Sequence, residues 1–140
     1  MTTNKLALKD QFLSLEQAKE LQELGVDIYG NLEIDIDDNG FETIEKVGTF
    51  ASDTFEYYKK SIPTLSVAEM IEMLPMDIEA KSKKYGNQTV YLSIDRHSVM
   101  YFVSGQEFER GLYIYKSFEK PLLRDALFEA IRWLKQNKLI

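Results

Sequence analysis

The chain has 140 residues, 44% of them apolar, with 17 Lys plus Arg against 23 Asp plus Glu, a formal charge of −6, one histidine and no cysteine. Without cysteine there is no disulfide framework, thiolate nucleophile, cysteine-type zinc site or iron–sulfur cluster, and one histidine does not furnish the imidazoles of zinc, copper or iron centres. An acidic chain is poorly suited to neutralising phosphates, so nucleic acid is not the expected partner.

No stretch approaches about eighteen consecutive apolar residues, and Met1 to Asp10 lacks the apolar core of a secretory leader, so the expectation is a cytoplasmic protein away from membranes. Residues 1–140 read as one globular domain, with 1–12 as a loosely ordered arm and no cofactor. The charge is lopsided: residues 1–70 hold 6 lysines and 14 acids, net −8, while residues 71–140 come to +2. Such asymmetry bears on partners rather than on fold.

Ser14-Leu15-Glu16-Gln17 has the form of a capping box, and the apolar stripe Leu15, Ala18, Leu21, Leu24 predicts a helix over 15–24 that Gly25 terminates. Leu32-Glu33-Ile34-Asp35-Ile36-Asp37 alternates as a half-buried strand does, Asp38-Asn39-Gly40 signals a turn, and 41–47 returns as a second strand. From Gly48 to Ser61 the pattern fits a strand or a packed loop. Ser66 and Glu69 form a second capping box, with Val67, Met70, Ile71 and Leu74 as the stripe of a two-turn helix stopped by Pro75.

Residues 79–87 read as a polar connector. Three β-rich runs follow, 88–95, 99–103 and 111–117, forming an antiparallel meander. A three-residue loop over 96–98 pairs Leu92 with Phe102, whereas an even loop pairs Leu92 with Tyr101; the odd loop is preferred. It places Tyr91, Tyr101, Tyr113 and Tyr115 on one face turned away from the main core, since one residue of slip inverts every side chain. A last helix from Pro121 to Asn137 buries Leu122, Leu123, Ala126, Leu127, Ala130, Ile131 and Leu134, with Phe128 on its polar side among Arg124, Arg132 and Lys135. The class is α+β: an antiparallel sheet made of the meander and the N-terminal hairpin, with three helices packed mainly on one face.

The segments Ser14 to Gly25, Ile62-Pro63-Thr64-Leu65-Ser66 to Leu74-Pro75, and Asp125 to Leu139 resemble, in order and spacing, short uncharacterised proteins encoded by bacterial prophages and mobile elements. The resemblance covers the helical scaffold and not residues 26–60. It implies a small intracellular accessory protein and carries no catalytic residues with it.

Asp35, Asp37 and Asn39 alternate before Gly40 as in the first half of a calcium loop, but the bidentate glutamate is due at the twelfth position, which is Lys46, with Glu45 one residue early. An acidic hairpin turn accounts for the segment better. Ser93, Asp95 and His97 alternate on one strand and so point in parallel, which is not the geometry of a nucleophilic triad. Lys59, Lys60, Lys81, Lys83 and Lys84 beside Tyr57, Tyr58 and Tyr85 fit solvated connectors better than a single-strand binding patch.

The leading expectation is a non-enzymatic interaction protein, with a protein partner or a second copy of itself. Tyr91, Tyr101, Tyr113, Tyr115 and Phe128 are its candidate contact residues. Alternatives are an acidic nucleic-acid mimic using Glu33, Asp35, Asp37, Asp38, Glu42 and Glu45, and a small hydrolase relying on carboxylates.

Overall fold

A computed structural model describes residues 8–28, 32–46, 58–83, 86–104 and 112–140. Leu8–Gln11 forms a single 3-10 turn, and Phe12 bridges Ser66. The part of the proposed arm from 8 to 12 is therefore tied down, and residues 1–7 lie outside the described residues. Leu13 N–H donates to the Leu65 carbonyl at 3.0 Å, and Thr64 Oγ1 donates back to the Leu13 carbonyl at 3.1 Å. Both N-terminal helices begin as their caps dictate. In α1 (Leu15–Glu23), Gln17 N–H donates to Ser14 Oγ, and Ser14 N–H to Gln17 Oε1. In α2 (Val67–Met73), Ser66 and Glu69 make the same reciprocal pair. Gly25 closes α1 at φ 83°, with Val26 N–H bonded to the Leu21 carbonyl, the geometry in which a glycine at the left-handed position satisfies the helix's last carbonyls.

The chain divides into two units, Met1–Met70 and Ile71–Ile140. In the first, β1 (Leu32–Asp37) is the centre of an antiparallel three-stranded sheet between β2 (Glu42–Lys46) and β3 (Tyr58–Thr64). The Asp38-Asn39-Gly40 turn forms as expected, Gly40 having φ 80° and Asp37 Oδ1 accepting from Asn39 N–H and Phe41 N–H. The strand β3 resolves part of the ambiguous 48–61 stretch. It carries Pro63, tolerable there because β3 is an edge strand and a proline nitrogen facing outward breaks no ladder bond. Residues 47–57 lie outside the described residues. The apolar row Leu32, Ile34, Ile36 takes one face of β1, and α1 packs against β3.

In the second unit, β4 (Asp77–Ser82), β5 (Gly86–Ile94), β6 (Ser98–Ser104) and β7 (Leu112–Glu119) form an antiparallel sheet in sequence order, and α3 (Leu123–Gln136) packs on β6 and β7. The α+β class holds, with the hairpin and the meander in two different sheets. The segment read as a polar connector is largely strand. In β4, Ile78 and Ala80 are buried and alternate with exposed Asp77, Glu79 and Lys81. Helix α3 starts two residues after Pro121. It ends with Lys138 at φ 57°, where Leu139 N–H reaches the Leu134 carbonyl.

The β5–β6 register corrects the sequence reading. Leu92 pairs with Tyr101 and Ile94 with Val99, the even register and not the odd one. Its cause is Asp95, whose Oδ1 accepts from His97 N–H at 2.9 Å and Ser98 N–H at 2.8 Å, while Asp95 N–H donates to the Ser98 carbonyl. The carboxylate substitutes for a backbone acceptor and closes the turn around Arg96 and His97, as Asx turns do. Those bonds, led by the His97 N–H, hold the Asp95 carboxyl below its ordinary range.

Candidate functional site

Residues directly opposite one another share a face, so the even register sorts the tyrosines differently. Val90, Leu92, Val99 and Tyr101 line the inner face, where α3 packs. Tyr101 is 0% exposed, and its hydroxyl donates to the Pro75 carbonyl at 2.9 Å. Burial pushes the phenol up to about 12. The assignment of Tyr101 to an outward contact face is thereby overturned. Tyr113 stands opposite Val103 on the inner side and is half-buried.

Tyr115 occupies an irregularity in β7. Tyr101 pairs with Lys116 and Phe102 with Ile114, which leaves Tyr115 unpaired in the ladder, as a bulge residue is. Its ring meets Trp133 of α3 edge-on at 6.1 Å, Phe118 lies 5.9 Å from the same indole, and Lys116 Nζ sits 5.8 Å from the indole centroid. Phe128 is also corrected: it is 5% exposed, and the guanidinium of Arg132, one turn further on, lies 5.1 Å from its ring centroid. A cation over an aromatic face explains how the sequence places this ring among basic residues without exposing it.

What does face outward is a row across three strands. Tyr91 opposes Phe102, and Phe102 opposes Ile114. Tyr91 is 51% exposed, Ile114 47%, and Phe102 is half-buried between them. Asp77 pairs with Tyr91 at one end of the row, and Glu79 and Glu119 share the face, with Lys81 further along β4. Of the five expected contact residues only Tyr91 is on this face, whereas Phe102 and Ile114 complete it without having been singled out. Their signal in the sequence was the cross-strand pairing that follows from the even register, which sets Phe102 opposite Tyr91 and Ile114 opposite Phe102.

The acidic residues of the hairpin do not form one exposed array. Asp35 is 0% exposed and accepts from Ser61 Oγ at 2.6 Å, and Asp37 spends one oxygen on the turn. Glu33 and Glu45, opposed across the ladder, are half-buried, leaving Asp38 and Glu42 exposed. The calcium reading of Asp35, Asp37 and Asn39 fails on the same geometry, because the two carboxylates are committed to different partners. Among the described residues no group of three His, Asp or Glu is arranged to hold a metal ion.

His97 Nδ1 lies 3.0 Å from the Pro121 carbonyl, which only accepts, so Nδ1 carries the proton. His97 lines a shallow depression with Glu119, Lys120 and Pro121. Ser93 opposes Met100, and Asp95 serves the turn, so the three alternating residues do separate structural work. Lys81 and Lys83 are exposed, and Tyr57, Lys84 and Tyr85 lie outside the described residues. No helix of the described residues is long and apolar enough to cross a membrane. Comparison with protein-family models, curated proteins and solved structures finds no match.

Proposed function

We propose that this chain is a non-enzymatic protein-interaction module that docks its partner on the outward face of the β4–β7 sheet, in the intracellular, mobile-element setting its scaffold resembles. The observation that carries the reading is the row Tyr91, Phe102, Ile114, two of whose members stand about half in water. Isolated exposed apolar side chains are ordinary, but adjacent ones across neighbouring strands make a contiguous patch with a rigid aromatic at one end, the composition of an interface core.

The rim chooses the partner. Among the described residues of these strands, Asp77, Glu79 and Glu119 outnumber Lys81 on this face, so the matching surface is apolar at its centre and carries Lys or Arg around it. A second copy of the chain brings the same acids to the same rim, which disfavours self-association there. Acidic mimicry loses its support with Asp35 in the interior and Asp37 in the turn.

The test is photo-cross-linking in the native host, with benzoylphenylalanine placed at position 91 and, as a control, at exposed position 138. The reading expects a dominant adduct from position 91 alone, abolished by Ile114→Asp and weakened by high salt during extraction. Identical adducts from both positions, or an adduct indifferent to Ile114→Asp, refute it. A covalent dimer of the chain itself refutes the choice of partner.

A further inference from the structure

Along β4 and into the turn after it, Asp77, Glu79, Lys81 and Lys83 alternate with Ile78, Ala80 and Ser82, two acids followed by two bases at every second position. All four charged residues are exposed, whereas Ile78 and Ala80 are buried. Every second side chain of a strand shares a face, so Asp77, Glu79 and Lys81 stand together on the outward one, where Thr89 of β5 donates its hydroxyl to Glu79 Oε1 at 2.5 Å.

Strand β4 is also an end strand, since the sheet order is β4-β5-β6-β7 and no described strand lies beyond it. Which backbone groups it turns to that edge follows from the ladder. Met76, one step beyond the Asp77–Tyr91 pair, accepts from Leu92 N–H at 2.9 Å, and in an antiparallel ladder pairs that exchange such bonds alternate with pairs that do not. Ile78 and Ala80 therefore spend their N–H and C=O groups on β5, while Asp77, Glu79 and Lys81 turn theirs to the outer edge. The residues that present backbone at the edge are the same ones that carry charge on its face.

An open edge is a template for a further strand, and here the charges select the strand that fits. When two copies of β4 lie antiparallel, their edge groups meet only if odd-numbered residues oppose odd-numbered ones. With the two-fold axis at Ala80, Glu79 faces Lys81 of the second copy, Asp77 faces its Lys83, and the symmetry repeats both pairs. Moving the axis one residue either way sets Glu79 against Glu79 or Lys81 against Lys81. Opposite charges across a ladder attract and like charges repel, so partner and register are chosen together.

We propose that β4 pairs antiparallel with β4 of a second copy about Ala80, joining two four-stranded sheets into one of eight strands. Two outward faces stacked on each other bring like charges together, but edge to edge the same acids meet lysines. The pairing does not rest on docking at the Tyr91 row, which lies two strand spacings, about 10 Å, from the second copy's β4. It engages Asp77 and Glu79 and leaves Glu119 to the partner of the face, which then meets two such rows on one continuous sheet.

Sedimentation equilibrium of the full chain over a concentration series tests the pairing, with amide hydrogen exchange on the same samples. The wild type is expected to dimerise reversibly, and more weakly as salt rises. Glu79→Lys sets lysine against lysine twice and should raise the dissociation constant at least about tenfold. Adding Lys81→Glu to it restores opposite charges at both places and should return the constant to within about threefold of wild type. The Glu79 and Lys81 amides should exchange slowly in the dimer and fast on dilution, while those of Ile78 and Ala80, bonded to β5, stay protected at both concentrations. A wild type that stays monomeric overturns the proposal whatever the variants do. So does a dimer indifferent to Glu79→Lys, or a folded double variant that stays monomeric. A dimer whose Glu79 and Lys81 amides exchange as fast as in the monomer also overturns it, by placing the contact on another surface.

Discussion

The even β5–β6 register makes an energetic prediction that separates two tyrosines ten residues apart. Tyr101 is fully buried with its hydroxyl on the Pro75 carbonyl, and Tyr91 is 51% exposed on the opposite face. Tyr101→Phe removes one neutral hydrogen bond and strands a carbonyl, a cost of about 1–2 kcal/mol. Tyr101→Ala adds the loss of a whole buried ring and leaves a cavity, about 3–5 kcal/mol by analogy with other aromatic truncations. Tyr91→Ala removes a side chain that is half wet already, and the expected change is within about 1 kcal/mol. Urea unfolding followed by the fluorescence of Trp133, the chain's one tryptophan, reports on the unit that holds both residues. With an m-value near about 2 kcal/mol/M, a 4 kcal/mol loss lowers the midpoint by about 2 M, against at most about 0.5 M for Tyr91→Ala. Equal losses at the two positions, or a larger loss at Tyr91, refute the assignment of faces.

The two helix C-termini offer a paired experiment, because Gly25 and Lys138 occupy the same left-handed position at φ 83° and 57°. Gly25→Ala should cost about 1 kcal/mol, and Lys138→Gly should gain up to about 1 kcal/mol, both read from urea midpoints. The buried, unpartnered hydroxyl of Thr43 predicts that Thr43→Val is neutral or stabilising by about 1 kcal/mol, contrary to the usual loss at a strand interior. In alkali Tyr101, pushed up to about 12 by burial, should ionise late in the folded chain, with stability falling as the pH rises above about 10 because the unfolded phenol ionises first, followed by absorbance at 295 nm.

How much of this was legible in the residues depends on whether the deciding interaction is local. The two capping boxes and the Gly25 stop involve groups at most five residues apart, and each formed as its motif indicated. The hairpin turn at 38–40 is local as well. In β4 the alternation is present, but its inward residues are only Ile78 and Ala80, and alanine is a weak strand former, so the segment resembles a connector. The β5–β6 register turned on whether the Asp95 carboxylate or a backbone carbonyl closes the turn, and that choice moved Tyr101 to the interior and brought out Phe102 and Ile114. Asp35 is beyond local reading, since acidic positions alternating with apolar ones imply water, and the Ser61 that receives its carboxylate comes from a strand 26 residues away.

The functional reading stands on which side chains the meander turns outward, so the most direct test is the register itself, observed through cross-strand proton contacts in solution. A strong contact between the α-protons of Leu92 and Tyr101 is expected, with the Tyr91 and Phe102 side chains in contact on the other face. A Leu92 to Phe102 contact in its place would return Tyr101 to the outward face and contradict the site.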